Sequence, residues 1–421
     1  IKPAMDFVSL SRHHSFMRAR RGLIIGIMAG SACVADVVPL ELPEGAANDP
    51  LTCAPRVVKD WQAAAPLSGP RFGHTATPLN DGAVLVVGGF DGRPLPGAEL
   101  YSVEEDRWSS TAALTVPRLR HTATKLLDGR VLVVGGDAPG SALIELYDPS
   151  AQAWTDGPRL PFGRFRHTAT RMQDGSVWIV GGSDGQRQFS EVWIFDPATA
   201  RLTEGPRLTE ARAGHSATLL SDGQLLVVGG QSNQNVSSPF ASVELYDPLT
   251  RQWRPAAPLV RARAGHTATR LDDGRVLVVG GFDGPPMRST ELYDPSTNRW
   301  TPGPSLTFAR TNHTASPHCD GTILVVGGFV SEPLTAVELF DPRTGLWRTG
   351  LPMAQGRARH AVATLDSGDV LVVGGASQGA LRSVERYGLI QAAAVRCQKA
   401  RPAVNHRCQK VFAPDGVPSF L

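Results

Sequence analysis

Seven histidines recur along this 421-residue chain, at positions 74, 121, 167, 215, 266, 313 and 360, spaced 46 to 51 residues apart. Three residues before each stands an arginine (Arg71, Arg118, Arg164, Arg212, Arg263, Arg310, Arg357), and seven after it a turn residue, Asp81 in the first copy and Ser367 in the last. Histidine and aspartate can ligate a metal or carry a proton, and arginine can grip a carboxylate or sulfate with its planar fork. A residue repeated in every copy, however, builds the repeat. The histidines are therefore expected to be hydrogen-bonded wedges, and the arginines to pair with carboxylates or carbonyls of a neighbouring repeat. Arg120, Arg166 and Arg359, each directly before a histidine, break the repetition. They are the better candidates for contact with a carboxylate, a sulfate or an acidic peptide. His313, His318, Cys319 and Asp320 look like a metal cluster in one dimension. The two histidines fall near opposite ends of one strand, too far apart for a single ion, and no metal site or cofactor is expected.

The elements that hold these residues are legible too. After each Asp-Gly turn comes an apolar run such as Val276-Leu-Val-Val279 that ends in a glycine pair, Gly88-Gly89 in the first copy and Gly374-Gly375 in the last. A variable stretch follows, then Glu-Leu-Tyr/Phe-Asp-Pro as at Tyr147, Tyr246, Tyr293 and Phe340, and seven residues past the aromatic a Trp (108, 154, 253, 300, 347) or Leu202. Runs apolar on both faces suit strands sandwiched between sheets. Asp-Gly and Asp-Pro-x-Thr are tight turns, Gly supplying positive φ and Pro presetting the second position. Short strands at a period near 47 predict an all-β propeller with four-stranded antiparallel blades.

Arg-x-x-His, the glycine pair and the spaced Tyr and Trp resemble kelch repeats over residues 59–388. The resemblance implies a toroid whose first strand in each blade lines a central channel. Closure follows from spacing: every motif Trp lies 13 residues before the next histidine, and Trp61 lies 13 before His74. Tyr387 has no Trp after it, so the strand around Trp61 is expected to complete the seventh blade and close the ring.

In such blades the Asp-Gly and Asp-Pro turns share one uniform face, and the variable loops share the other, where recognition usually sits. Phe90 and Phe282 open two of those loops, and Phe240 lies in the longest, 231–243; all three are candidate aromatic contacts. The reading is a protein- or glycan-binding propeller, expected to be monomeric, with no catalytic residue assigned. The alternative is a small-molecule enzyme at the channel mouth. Copper radical oxidases resemble this fold but use an added β-domain, for which the tail is too short. Kelch-type sugar-acid isomerases use mouth arginines and carboxylates, for which Glu210 and Glu332 are the available acids.

Net charge is +3, which makes no case for nucleic-acid binding, and no apolar run reaches the ~18–20 residues that span a bilayer. Residues 1–16 read as an over-extended start. Arg18, Arg20 and Arg21, the apolar run Leu23–Ala29 and Gly30-Ser-Ala-Cys33 resemble a bacterial lipoprotein signal, with Cys33 lipidated and Gly30 where that family has Leu. Arg20-Arg21 also admits a twin-arginine reading. The expected location is the periplasm or cell surface, with the membrane engaged through the lipid alone. Residues 34–58 read as a tether and 389–421 as a short tail with a duplicated Arg-Cys-Gln-Lys at Arg396 and Arg407. Cys53, Cys397 and Cys408 are expected near the closure seam, where one pair could bond in an oxidising compartment.

Overall fold

Seven four-stranded antiparallel sheets follow one another through the chain, six of them built of consecutive strands and the seventh completed by the first strand. The computed structural model describes residues 57–232, 238–318, 320–391, 410–412 and 418–420. The export segment with Cys33, the tether up to residue 56, residues 233–237, Cys53, Cys319, Cys397 and Cys408 lie outside the described residues. Blade 1 consists of Thr75–Pro78, Val84–Val87, Ala98–Ser102 and Arg107–Thr111. Blades 2 to 7 begin at Thr122–Lys125, Thr168–Arg171, Ser216–Leu219, Thr267–Arg270, Thr314–Pro317 and Ala361–Thr364. No helix occurs among the described residues.

The second strands explain why the sheets stack. Val-Leu-Val-Val in blade 1 is buried at all four positions, and alternate residues serve two different interfaces. Val84 and Val86 pack with Leu371 and Val373 of blade 7, while Leu85 and Val87 pack with Val131 and Val133 of blade 2. Each fully buried Val or Leu contributes about 1.5–3 kcal/mol by leaving water, so the sheets hold one another. The uniform face is built from self-capped turns. Asp81 Oδ1 accepts the Ala83 amide at 3.0 Å around Gly82 at φ 80°, and Asp148 Oδ1 accepts the Ser150 amide at 2.8 Å.

The outer strands are clamped by the spaced aromatics. Tyr101 meets Trp108 across the sheet with centroids 4.9 Å apart, and the Trp108 indole N–H donates to the Ala65 carbonyl at the end of the preceding blade, at 2.7 Å. Trp154, Trp253, Trp300 and Trp347 make the equivalent bond. The ring closes as the spacing predicts. Val57–Ala64 pairs antiparallel with Val384–Gln391, setting Trp61 opposite Tyr387, and the Trp61 indole donates to the Leu351 carbonyl at 2.8 Å. The seam strands extend slightly past the expected limits of 59 and 388. In the tail, Lys410–Phe412 pairs with Pro418–Phe420.

Candidate functional site

The repeated arginines are interior, and one expectation about them is corrected. Each guanidinium pairs within its own blade, not with the neighbouring one. Nη1 donates to the carbonyl of the first glycine of the blade's own pair at 2.6–3.0 Å in all seven blades. In six blades the guanidinium also meets the Glu of Glu-Leu-Tyr-Asp at 2.5–2.9 Å. The reason is register: the arginine precedes the first strand, beside the end of the third where that Glu sits. The Glu also accepts a backbone amide from the segment entering the blade, as Thr115 N to Glu145 at 2.7 Å. What crosses between blades is backbone: the second glycine's amide donates to the carbonyl of the next blade's arginine, at 2.7–3.0 Å round the whole ring.

Blade 3 departs from this scheme. Trp193 stands where the others have Glu, and Arg164 lies over the Phe189 ring at 4.5 Å instead. Arg187 covers Phe162 at 4.3 Å beside it, so aromatic faces replace the carboxylate.

The histidines are wedges between blades. His121 Nε2 meets the Thr75 hydroxyl of blade 1 at 3.0 Å, and five further blade junctions repeat the contact at 2.8–3.1 Å. The ring lies so close to the preceding glycine pair that a Cβ on Gly88 would sit 2.8 Å from His121 Cε1 and 2.6 Å from the Arg118 carbonyl. Burial first, and then the adjacent arginine, push His121, His215, His266 and His360 down to about 3, so they are neutral at physiological pH. At the seam Ala361 replaces the hydroxyl residue, and His74 has neither ring nitrogen bonded. His318 meets Asp320 at 3.2 Å and the edge of Tyr387, not His313. Among the described residues no group of three or more His, Cys, Asp or Glu is placed to hold a metal.

The residue directly before each histidine forms a rim round the channel at the variable-loop face. In every blade it is left-handed: Gly73, Arg120, Arg166, Gly214, Gly265, Asn312 and Arg359 have φ between 53° and 67°. Backbone bonds run from one rim residue to the next, as Arg120 N to Gly73 O at 2.8 Å and Arg359 N to Asn312 O at 3.0 Å. Glycine takes this conformation freely and asparagine tolerates it, whereas other residues pay about 1–2 kcal/mol. Three arginines stand in it. Arg120 lies 6.0 Å over the Phe165 ring and Arg359 5.9 Å over Phe72, each aromatic belonging to the next blade. Burial, then Arg120 and Arg166, hold the Arg359 guanidinium below the usual arginine range, so the three cations feel one another.

A cavity of about 270 Å³ opens inside this rim, lined by its Arg166, Gly214, Gly265, Asn312 and Arg359, by Gln231, Ala264, Phe282 and Thr311, and by the histidines His167, His215 and His266. The structure thus brings together three of the candidates, Arg166, Arg359 and Phe282. Arg120 sits on the adjoining rim, 3.5 Å from Asp137. Phe90 packs on Phe72 at 5.4 Å, next to Arg359. Phe240 is elsewhere: it covers Arg212 at 5.4 Å, in the loop position held by Phe189 and Met287 in other blades. Glu210 is engaged with Arg212 at 3.0 Å, and Glu332 is exposed in its loop. Asn312 and Gln231 were not among the sequence candidates. The alternation of Gly, Arg and Asn at one motif position was the available signal, since Gly and Asn mark left-handed backbone. On the uniform face a larger cleft of about 460 Å³ is lined by Asp81, Asp128 and Asp148, but these carboxylates cap their own turns.

The family described as the KLHDC2/KLHL20/DRC7 kelch-repeats domain matches residues 120–328, and the kelch motif matches 71–115 and 310–353. No curated protein sequence matches the chain. Among solved structures it is similar to a novel fungal alcohol oxidase of the AA5 family in complex with copper, with TM-score 0.66 and 17% identity over 78% of this chain and 76% of that one. That identity shows the fold alone. His167, His215 and His266 also line the cavity, but their Nε2 atoms meet the hydroxyls of Thr122, Thr168 and Ser216, and among the described residues no three such groups converge, so this lining beside two arginines does not fit copper. The chain is a seven-bladed β-propeller built of kelch repeats.

Proposed function

We propose that this propeller is a binding protein of the cell envelope that holds an anionic group of a protein or glycan partner on its variable-loop face. The observation that carries the reading is the retention of three arginines at left-handed rim positions where Gly73, Gly214 and Gly265 do the same structural work without strain. Backbone strain persists where something else selects it. A rigid scaffold with variable loops suits recognition, and the kelch propeller supports a binding role. Export and lipid anchoring belong to the same reading and rest on Arg18 to Cys33. The test is affinity capture from an envelope extract with the wild type and an R120G/R166G/R359G variant. The partner should be lost with the variant; equal recovery by both proteins rejects the reading. For the anchor, metabolic labelling with a palmitate analogue should mark the wild type and not Cys33→Ser.

A further inference from the structure

Resting on that reading, we infer that the partner is a protein and that the rim cavity receives one of its tyrosine side chains, with an acidic residue beside that tyrosine held by Arg359.

Most polar groups of the lining are already spent. The Nε2 atoms of His167, His215 and His266 meet the hydroxyls of Thr122, Thr168 and Ser216. The motif histidines' Nδ1 atoms are buried without a partner in all seven blades, which makes that a trait of the wedge and not of the cavity. To a ligand these three imidazoles therefore offer ring surface. Thr311 Oγ1 donates to the Gly265 carbonyl at 3.4 Å, and Arg166 is engaged within the chain, so no ligand group is assigned to either. Gln231 stands apart. It follows the glycine pair of blade 4, and two hydrogen bonds of 3.0 and 3.1 Å lock its backbone to Ala213. The residue is 5% exposed, and its side-chain Oε1 is buried and accepts no hydrogen bond. A buried carbonyl left unpaired is costly, and one donor from a ligand removes that cost.

Shape and charge complete the choice. At about 270 Å³ the cavity falls just below the usual range of small-molecule sites and suits a single side chain. A Cβ on Gly265 would sit 3.3 Å from the Phe282 ring and 3.2 Å from Thr311 Oγ1, so glycine there keeps the space open. With Phe282, Ala264 and the three imidazoles around it, the interior is ring-lined and holds one unpaired acceptor. A phenol matches that set, since its flat ring packs on aromatic faces and its one O–H donates to Gln231 Oε1. A sugar would bring several hydroxyls to the same depth and leave most of them unpaired. Aromatic anchors seated in pockets are also where protein interfaces concentrate their energy. At the mouth, Arg359 and Asn312 are exposed. The Arg359 guanidinium lies over Phe72 and forms no ion pair among the described residues, which leaves its planar fork to a carboxylate next to the tyrosine.

The experiment is calorimetric titration of the full chain, at low salt, with the capped tripeptides Glu-Tyr-Glu, Glu-Phe-Glu and Gln-Tyr-Gln, and with glucuronate as an acidic sugar. Glu-Tyr-Glu should bind, with Glu-Phe-Glu at least about tenfold weaker and Gln-Tyr-Gln weaker as well. Gln231→Leu should bind the tyrosine and phenylalanine peptides alike. Arg359→Gly, which places there the residue that three other blades use, should bind Glu-Tyr-Glu and Gln-Tyr-Gln alike and keep the preference for tyrosine over phenylalanine. Equal binding of Glu-Tyr-Glu and Glu-Phe-Glu by the wild type overturns the proposal. So does a tyrosine preference that survives Gln231→Leu, or an absence of binding by every tripeptide. Glucuronate binding more tightly than Glu-Tyr-Glu overturns it too and assigns the cavity to a glycan. If no tripeptide binds while partner capture still depends on the three rim arginines, the tyrosine fails and the binding reading stands. If capture is indifferent to the arginines, the reading itself fails.

Discussion

At the scale of single residues, one side-chain type does two unrelated jobs separated by two positions in the sequence. Arg118 is fully buried, pinned by Gly135 O and Glu145; Arg120, two residues on, lies on the rim over Phe165. The first is scaffold, since removing one partner of a buried ion pair leaves an uncompensated charge and costs about 3–5 kcal/mol. Glu291→Gln, which strands Arg263, is therefore expected to lower stability by that order in denaturant unfolding. A change within about 0.5 kcal/mol, the size of an ordinary surface effect, would contradict the assignment. Sequence reasoning separated the two sets of arginines by asking which broke the repeat. It misplaced the partner of the buried set because the Glu that pairs with Arg71 lies 28 residues away, in the third strand of the same blade. Only the fold brings the two together.

At the scale of elements, the blade is a unit whose weak points are the copies that depart from the pattern. Turn chemistry, apolar runs and the Trp spacing were legible because each rests on local rules, and the seam pairing followed from counting to Trp61. The left-handed rim was not legible from Arg120, Arg166 and Arg359 alone, since φ shows only when the Gly and Asn of other copies are laid beside them. The seam carries one visible defect: Ala361 offers no hydroxyl to His74, where six other junctions have one. Ala361→Thr is expected to add the missing hydrogen bond and raise stability by about 0.5–1.5 kcal/mol, read as a higher melting temperature. A fall in melting temperature would mean that the seam cannot accept the larger side chain.

At the scale of the whole molecule, seven neutral histidines tie the stability of the ring to pH. His121, His215, His266 and His360 are held at about 3 and His74, His167 and His313 well below the ordinary histidine value, all by burial first, while the unfolded value is about 6.5, so below that value the unfolded chain binds more protons. Stability is fully present above pH 6.5 and is lost as pH falls toward 3, by about 1.4 kcal/mol per pH unit for each histidine. Melting temperature should therefore be level above pH 7 and drop steeply between pH 6 and 4.5; a flat profile would contradict the buried wedge. Arginine remains charged throughout that range, so ligand capture at the rim should follow the folded fraction.

The central claim is that the rim arginines are kept for binding at a cost to the fold. Its most direct test is to replace all three with the glycine that other blades use and to measure melting temperature and anion binding on the same protein. The R120G/R166G/R359G variant is predicted to melt at or above the wild-type temperature and to lose the anion. A variant that melts well below the wild type and still binds would contradict the account.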